Sequence, residues 1–232
     1  MKFATITFPG SNCDQDVYFV TSNILKQPSA MLWHDEQFDL ASYDCVILPG
    51  GFSYGDYLRS GAIARFAPIM ERVIEYANNG GLVMGICNGF QILLEAGLLP
   101  GAMKVNQNLK FVCRYSKLAV VNNQTPFTNC CKAGELLSIP VAHGEGNYYI
   151  DRPGLELLQA NNQVVLRYRD QQENPNGSVD NIAGICNQAG NVFGMMPHPE
   201  RCAEAILGNN GTDGLKIFYS LLNYQQKESG AR

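Results

Sequence analysis

Residues 82–97 read LVMGICNGFQILLEAG, and the fold follows from them. The apolar run 82–86 predicts a short buried strand, and the apolar residues after it predict a helix that ends at Gly97. Cys87 stands between the two, with a glycine two residues away on each side. This is the layout of a nucleophile elbow, a sharp strand-to-helix turn that raises a reactive side chain above the end of a sheet. Cys87 is therefore the first candidate nucleophile.

The first half of the chain alternates predicted strands with predicted helices. The strands are 2–8, 45–48 and 82–86, and the helices are 13–26, 62–78 and the one after Cys87. This alternation predicts an α/β fold with a mainly parallel central sheet covered by helices on both faces. Ligands of such sheets bind at the carboxyl ends of the strands. We therefore expect Gly50-Gly51, which follow strand 45–48, to share a cleft with Cys87.

The second half of the chain has a different pattern. Short strands are predicted at 109–121, 135–142, 163–169, 181–186 and 191–195, with a hairpin turn at 188–191. They predict an antiparallel extension of the main sheet. A final amphipathic helix is predicted from Thr212, and residues 225–232 are expected to be a frayed tail. Because no repeat or linker divides the chain, we expect one domain over residues 1–232.

Composition excludes several classes of protein. The chain has 232 residues, 46% hydrophobic and 16% charged, which is an ordinary globular composition. Its net charge of −4 argues against nucleic acid as the main partner. The beginning of the chain reads as a strand without the features of a signal peptide, so we expect a cytoplasmic protein. The eight cysteines include no CxxC pair, so neither a metal site nor a disulfide scaffold is predicted.

A cysteine nucleophile needs a base and a group that orients the base. The chain has three histidines, and His198 lies in the segment MMPHPE. The prolines on both sides of it predict extended backbone, which would place His198 and Glu200 on the same side. The carboxylate could then bind one imidazole nitrogen and leave the other facing a thiol. We therefore predict that Cys87, His198 and Glu200 are nucleophile, base and orienting carboxylate.

Two backbone amides are candidates for an oxyanion hole. In an elbow the residue after the nucleophile offers its N–H, which indicates Asn88. The second donor would come from a neighbouring loop, where Gly51 is the candidate. The glycine-rich stretch 49–64 lacks the Gly-Lys-Ser/Thr of a P-loop and the spacing GxGxxG, so it does not favour nucleotide binding.

The other two histidines are less informative. His143 and Glu145 lie in AHGEGNY, which we interpret as a flexible polar loop that is structural or faces a partner. A second acid–base site there is the weaker alternative. His34 is expected at the surface.

Several blocks of this sequence resemble one family. They are FPGSNCDQD (8–16), LPGGFSYGDYLRSGAIA (48–64), GICNGFQIL (85–93), HGEG (143–146) and MMPHPER (195–201). The elbow with its distant HPE resembles the triad class (class I) of glutamine amidotransferases. The 48–64 block is the most specific, and it resembles the glutaminase subunits of phosphoribosylformylglycinamidine synthase. The resemblance covers nearly the whole chain, but no motif can be placed in residues 100–135.

The resemblance implies a flavodoxin-like fold and a complete reaction. It puts the catalytic triad on Cys87, His198 and Glu200, the oxyanion hole on Gly51 and Asn88, and a contact to substrate glutamine on Gln91. Ammonia would pass to a large synthetase subunit, PurL, with a small bridging subunit, PurS, in purine biosynthesis. The resemblance implies no cofactor in this chain, and ATP and Mg²⁺ in the partner synthetase.

Two other functions stay open at this point. One is a stand-alone cysteine hydrolase on the same scaffold, either a peptidase or a γ-glutamyl hydrolase. The other is a non-catalytic binding subunit. The position of Glu200, two residues after His198, favours the amidotransferase.

Overall fold

The computed structural model describes residues 1–36, 38–207 and 211–230. The strands are β1 (Phe3–Thr7), β2 (Ser29–Trp33), β3 (Cys45–Leu48), β4 (Leu82–Ile86), β5 (Ala102–Lys104), β6 (Val112–Val120), β7 (Leu136–His143), β8 (Asn147–Tyr149), β9 (Val164–Tyr168), β10 (Ile182–Cys186) and β11 (Val192–Met195). The α-helices are α1 (Asp14–Phe19), α2 (Pro68–Asn78), α3 (Asn88–Glu95), α4 (Arg152–Ala160) and α5 (Leu215–Gly230). A π-helix, Val20–Ile24, continues α1, and short 3-10 helices lie in the loops.

Nine strands form one sheet in the order β2-β1-β3-β4-β11-β10-β9-β6-β7. The strands from β2 to β11 pair in parallel, and those from β11 to β7 pair antiparallel. The parallel part has the 2-1-3-4-5 order of flavodoxin-like folds. The fold class and its antiparallel extension, both expected from the sequence, are confirmed. β5 and β8 form a separate two-stranded sheet.

The centre of the parallel sheet is the hydrophobic core. All residues of β3, β4 and β11 are buried, as expected for strands covered on both faces. Helix α3 packs against these three strands, and α1 packs against β1 and β2. The loops after β1, β3, β4 and β11 therefore meet at one edge of the sheet, because these strands are parallel.

Some sequence expectations are wrong in their bounds. Helix α2 begins at Pro68 and not at residue 62, because proline suits the first helical position and Ala67 before it is extended. Residues 225–230, expected to be frayed, continue α5, and their glutamine and lysine residues favour a helix. Residues 231–232 of that predicted tail lie outside the described residues. The short elements β2, β5, β8 and α4 were not predicted.

None of the helices in the described part of the chain is both long and apolar enough to cross a membrane.

Candidate active site

Cys87 occupies the predicted elbow between β4 and α3. Its backbone has φ 50° and ψ −103°, a strained conformation for a residue with a side chain. Its N–H donates to the carbonyl of Met195 at 2.8 Å, which ties the elbow to β11. A Cβ on Gly89 would lie 1.9 Å from the carbonyl oxygen of Leu48, and one on Gly85 would lie 2.7 Å from the backbone of Gly89. Glycine at these two positions therefore permits the close packing of α3 on β3 and β4.

His198 and Glu200 follow β11 and reach the same site. The backbone N–H of His198 donates to Pro140 of β7 at 2.8 Å. Its Nδ1 lies 2.6 Å from Oε1 of Glu200, and both side chains are buried. The predicted contact is therefore present, but the predicted backbone is not. Glu200 lies in a 3-10 helix, Pro199–Cys202, because Pro199 starts a helical turn instead of extending the chain.

The charge state of His198 depends on its two partners. Burial alone would lower the pKa of His198, but the charges of Glu200 and Cys87 outweigh burial and raise it well above the ordinary value. Its Nε2 is buried and has no hydrogen-bond partner among residues 1–36, 38–207 and 211–230. The Cys87 thiol also interacts with this imidazole. Since Nδ1 is bound to Glu200, Nε2 is the nitrogen left to take the Cys87 proton.

The amide of Asn88 is the first of helix α3. The first N–H groups of a helix have no acceptor within the helix, and the helix dipole favours negative charge there. This N–H belongs to the residue directly after Cys87 in the chain. Its role as an oxyanion donor stays a prediction, and the position at a helix N-terminus supports it.

Gly51 lies in the loop after β3, opposite Ser11 in an isolated antiparallel bridge. The hydrogen bonds of this bridge are made by flanking residues, Phe52 N–H to Gly10 and Asn12 N–H to Gly50. Gly51 is therefore at a non-hydrogen-bonded position, and its own N–H points away from Ser11. This leaves the amide available for an oxyanion, and the donor role of Gly51 stays a prediction.

The side chain of Asn88 ties this loop to the elbow. Its Oδ1 accepts from the N–H of Ser53 at 3.1 Å, and its Nδ2 donates to Asp56 at 3.3 Å. Burial raises the pKa of the Asp56 carboxyl to about 6. Asn88 Nδ2 also donates to Oε1 of Gln91 at 2.9 Å. These hydrogen bonds thus hold the loop that carries Gly51 in a fixed position relative to the helix that follows Cys87.

Gln91 is buried on α3, with 4% of its surface exposed. Its Nε2 donates to the carbonyl of Glu145 at 2.5 Å, and its Oε1 is the acceptor for Asn88. Both ends of its amide are therefore hydrogen-bonded within the protein. A contact of Gln91 with bound glutamine stays a prediction, and the structure gives it a bracing position beside the elbow.

Cys13 is a site residue that sequence reasoning missed. Its Sγ lies 3.7 Å from Nδ1 of His198, on the same nitrogen that binds Glu200. A Cβ on Gly50 would lie 2.7 Å from Cε1 of His198 and 3.0 Å from this sulfur, so glycine is needed between them. The sequence did contain a signal, because Cys13 lies in the 8–16 block that follows β1. In such a sheet the loop after β1 adjoins the loop after β3.

Cys13, His198 and Glu200 could offer ligand atoms within 4.8 Å of one another. However, the Nδ1 atom of His198 is already hydrogen-bonded to Glu200. Burial also raises the pKa of the Cys13 thiol and so disfavours the thiolate that a metal needs. We therefore interpret this cluster as the packing that holds the imidazole.

His143 and Glu145 do not lie in a flexible loop. His143 is the last residue of β7, 3% exposed, and hydrogen-bonded on both ring nitrogens to Asn106 and Asn176. The carboxylate of Glu145 accepts from the N–H and O–H of Ser60, at 3.3 and 2.9 Å. The expectation of a flexible loop is wrong, because these polar groups find partners from distant segments.

His34 is half-buried and not a free surface residue. The O–H of Tyr54 lies 2.8 Å from its Nδ1, and the ring of Trp33 packs edge-on against it at 4.6 Å. The sequence expectation was a surface position, and the contacts with Tyr54 and Trp33 explain why the ring is half-buried instead.

Residues 1–225 match the family described as the CobB/CobQ-like glutamine amidotransferase domain. The chain belongs to this glutamine amidotransferase family. The resemblance found in the sequence is confirmed. Within the family, the chain is 58% identical to phosphoribosylformylglycinamidine synthase subunit PurQ of Moorella thermoacetica, over 98% of each chain. It is 55% identical to the subunit of the same name from Nostoc sp., over 96% of this chain and 97% of the relative.

A solved structure supports the similarity to these sequence relatives. A chain in the structure of PurLQS from Thermotoga maritima matches with a TM-score of 0.87 and 47% identity. The match covers 97% of this chain and 98% of the other. The similarity therefore extends over the whole fold, including both the parallel and the antiparallel parts of the sheet.

Proposed function

We propose that the chain is the glutaminase subunit of phosphoribosylformylglycinamidine synthase and hydrolyses glutamine to glutamate and ammonia through a thioester on Cys87. The relatives named PurQ, at up to 58% identity over nearly the full chain, support the assignment to this subunit. The chemistry rests above all on one observation. The buried 2.6 Å hydrogen bond from His198 to Glu200 fixes the imidazole and leaves Nε2 for the Cys87 thiol.

The first half of the reaction forms the thioester. Cys87 gives its proton to Nε2 of His198, and Glu200 stabilises the imidazolium. The thiolate attacks the side-chain amide carbon of glutamine, and the N–H groups of Asn88 and Gly51 bind the oxyanion. Each such donor contributes about 2.7–4 kcal/mol to stabilising the transition state. His198 then protonates the departing nitrogen, the C–N bond breaks, and ammonia leaves.

The second half of the reaction releases glutamate. His198, now neutral, takes a proton from water as the oxygen attacks the thioester carbonyl. The second tetrahedral intermediate expels the Cys87 thiolate, which regenerates the thiolate–imidazolium pair. General acid–base catalysis of this kind contributes about 10²–10⁴-fold. The covalent intermediate divides one difficult amide hydrolysis into two easier steps.

The ammonia is consumed by partner subunits. The partners are the large synthetase subunit, PurL, and the small subunit, PurS, as supported by the similarity to a chain of PurLQS. There ammonia converts formylglycinamide ribonucleotide to formylglycinamidine ribonucleotide with ATP, a step of purine biosynthesis. We assign ATP and Mg²⁺ to the synthetase and no cofactor to this chain, since stretch 49–64 lacks the P-loop pattern.

We also propose that the protein works in the cytoplasm. All eight cysteines lie in the described part of the chain, and all have free thiols. Free thiols are typical of a reducing compartment, which supports this proposal.

The experiment that tests the function is a glutaminase assay with and without PurL and PurS. We expect low glutamate production by the chain alone and a large increase in the complete assembly with ATP and formylglycinamide ribonucleotide. Cys87→Ser should abolish it in both. High activity of the isolated chain that the partners leave unchanged would instead indicate a stand-alone hydrolase.

A further inference from the structure

His143 is a buried histidine that the mechanism above does not use. It ends strand β7, and the carbonyl oxygen of Ala142 before it lies 3.8 Å from Sγ of Cys87. The charge of His198 also acts on it. The residue thus lies directly behind the nucleophile and base, so its protonation state and hydrogen bonds bear on the site.

Asn106 determines which nitrogen of His143 carries the proton. Its Nδ2 donates to the carbonyls of Lys110 and His143, both at 2.9 Å, and its Oδ1 accepts from the N–H of Gly146 at 2.9 Å. These three backbone groups fix the orientation of the amide. Nδ1 of His143, 3.1 Å from that same Oδ1, must therefore be a donor and carry the proton.

Asn176, on the other side of the ring, also indicates that Nδ1 carries the proton. Its Oδ1 accepts from the N–H of Ser178 at 3.0 Å, so its Nδ2 is the donor. That Nδ2 lies 3.3 Å from Nε2 of His143 and 3.2 Å from the phenol oxygen of Tyr168. Nε2 is thus an acceptor. Both neighbours require a neutral imidazole protonated on Nδ1.

Electrostatics favours the same neutral form. Burial, and after it the charge of His198, lowers the pKa of His143 to about 4. Other ionisable groups near it include the thiol of Cys87, which contacts the Ala142 carbonyl, and the phenol of Tyr168, which shares Asn176 with His143. The carboxylate of Glu145, two residues along the chain, accepts from Ser60. Near neutral pH the positive charge of the site is therefore on His198 and not on His143.

The segment that these bonds hold, residues 142–146, forms part of the wall of the active site. It includes the Ala142 carbonyl near Cys87 and the Glu145 carbonyl that accepts from Gln91. Gln91 in turn binds the side chain of Asn88. The position of segment 142–146 is thus coupled to both the nucleophile and the residue that carries the predicted oxyanion donor.

We propose that His143 is a positioning residue of the glutaminase site. Its Nδ1–H clamps segment 142–146 to Asn106, and it transfers no proton to or from glutamine. The proposal deepens the proposed function and rests on it. Asn106 lies in the region 100–135, to which no sequence motif assigned a role, and the clamp gives this part of the region a role beside the active site.

Two substitutions of His143 distinguish the hydrogen bond at Nδ1 from the hydrogen bond at Nε2. Asparagine places an amide N–H near the position of Nδ1, so His143→Asn can keep the bond to Asn106. Glutamine reaches the position of Nε2, so His143→Gln can keep only the bond to Asn176. In the complete assembly we expect His143→Gln to lower kcat by about 10- to 100-fold, since small misplacements have effects of this size, and His143→Asn to lower it less than about tenfold.

The pH profile distinguishes positioning from proton transfer. Both variants should keep the acidic and basic limbs of the wild-type kcat profile. The matched change His34→Gln, at a histidine outside the triad, should leave kcat near the wild-type value. Wild-type kcat in both His143 variants, or loss of one limb in both, would overturn the proposal.

Imidazole ¹H–¹⁵N NMR of the wild-type chain tests the protonation state without any variant. We expect His143 to be neutral with its proton on Nδ1 from about pH 6 to 8. A proton on Nε2, or titration in that range, would overturn the clamp even if all variants fold poorly. An inactive wild-type assembly that nevertheless shows the Nδ1–H tautomer would instead refute the proposed function and the role of His143 in it.

Discussion

Nδ1 of His198 lies 2.6 Å from Oε1 of Glu200, although the chain between them turns into a 3-10 helix. Both side chains are buried, and the second carboxylate oxygen of Glu200 has no hydrogen-bond partner within the described residues. Among the described residues, the carboxylate therefore has one hydrogen-bond partner, the imidazole of His198. This short, buried contact makes Glu200 the main source of the raised pKa of His198, against the opposing effect of burial.

Replacing Glu200 by glutamine should strongly reduce catalysis. The amide keeps the size of the carboxylate but no longer stabilises the imidazolium. We expect kcat for glutamine hydrolysis to fall by up to about 10⁴-fold, the size of effect known for an orienting carboxylate, with little change in folding. Steady-state kinetics of the assembly and thermal unfolding together measure this.

Glu156→Gln is the matched control for that change. Glu156 is exposed on α4 and pairs with the exposed Arg152, so its loss should leave kcat unchanged. An unchanged kcat in Glu200→Gln would mean that another carboxylate orients His198.

The raised pKa of His198 predicts where activity declines at high pH. The imidazolium, which protonates the departing ammonia, exists below this pKa. The basic limb of kcat should therefore lie above the ordinary histidine value of about 6.5. In Glu200→Gln the main interaction that raises the pKa is lost, so the limb should move to lower pH. The residual activity of Glu200→Gln is measured across pH. A basic limb at the same pH in the variant and in the wild type would contradict this prediction.

The oxyanion role of Gly51 needs a test that leaves its backbone geometry intact. Gly51 has φ 148°, and a Cβ there would lie 2.6 Å from the backbone nitrogen of Asn12. Proline, which requires φ near −65°, and alanine would both distort the loop. Semisynthesis that replaces only the Gly51 amide by an ester removes the N–H donor. We expect a fall in kcat of about 10²- to 10³-fold.

The same ester at a position whose N–H is not needed is the control for the chemistry. Gly190 suits this, since it lies in the turn between β10 and β11, its N–H has no role in the proposed mechanism, and a Cβ there would meet nothing within 4 Å. Equal losses at positions 51 and 190 would show that the ester disturbs folding and that Gly51 is not a specific donor.

The two thiols beside His198 should react very differently. Burial raises the pKa of Cys13, which keeps it as the unreactive thiol, whereas Cys87 is at the elbow and interacts with His198. A glutamine-analogue electrophile should therefore label wild type and Cys13→Ala on Cys87, and should not label Cys87→Ser. Peptide mass spectrometry locates the adduct. Label on Cys13, or persistent labelling of Cys87→Ser, would refute the nucleophile assignment.

The elbow and the triad could be predicted because their signals are local in sequence. Cys87 lies between a strand pattern and a helix pattern, with glycines where the two crowd together. His198 and Glu200 are two residues apart, so almost any compact turn can bring them into contact. This is why the predicted contact is correct although the predicted extended backbone is not.

The supports of the triad could not be predicted, because they join distant parts of the chain. Cys13 reaches His198 across 185 residues, and His143 reaches Asn106 and Asn176 across 37 and 33. Nothing in the local pattern of an asparagine says which buried group its amide will satisfy. The flexible loop expected around His143 was wrong for the same reason.

The sequence by itself thus determined the α/β fold, the family and the identity of the candidate nucleophile, base and carboxylate. Hydrophobic periodicity and turn chemistry act over a few residues and can be read directly. Only the tertiary structure decided that Cys13 packs on His198 and that His143 is a neutral, doubly hydrogen-bonded residue behind Cys87. Burial and pairing of polar groups decide these states, and both depend on which strands the sheet places side by side.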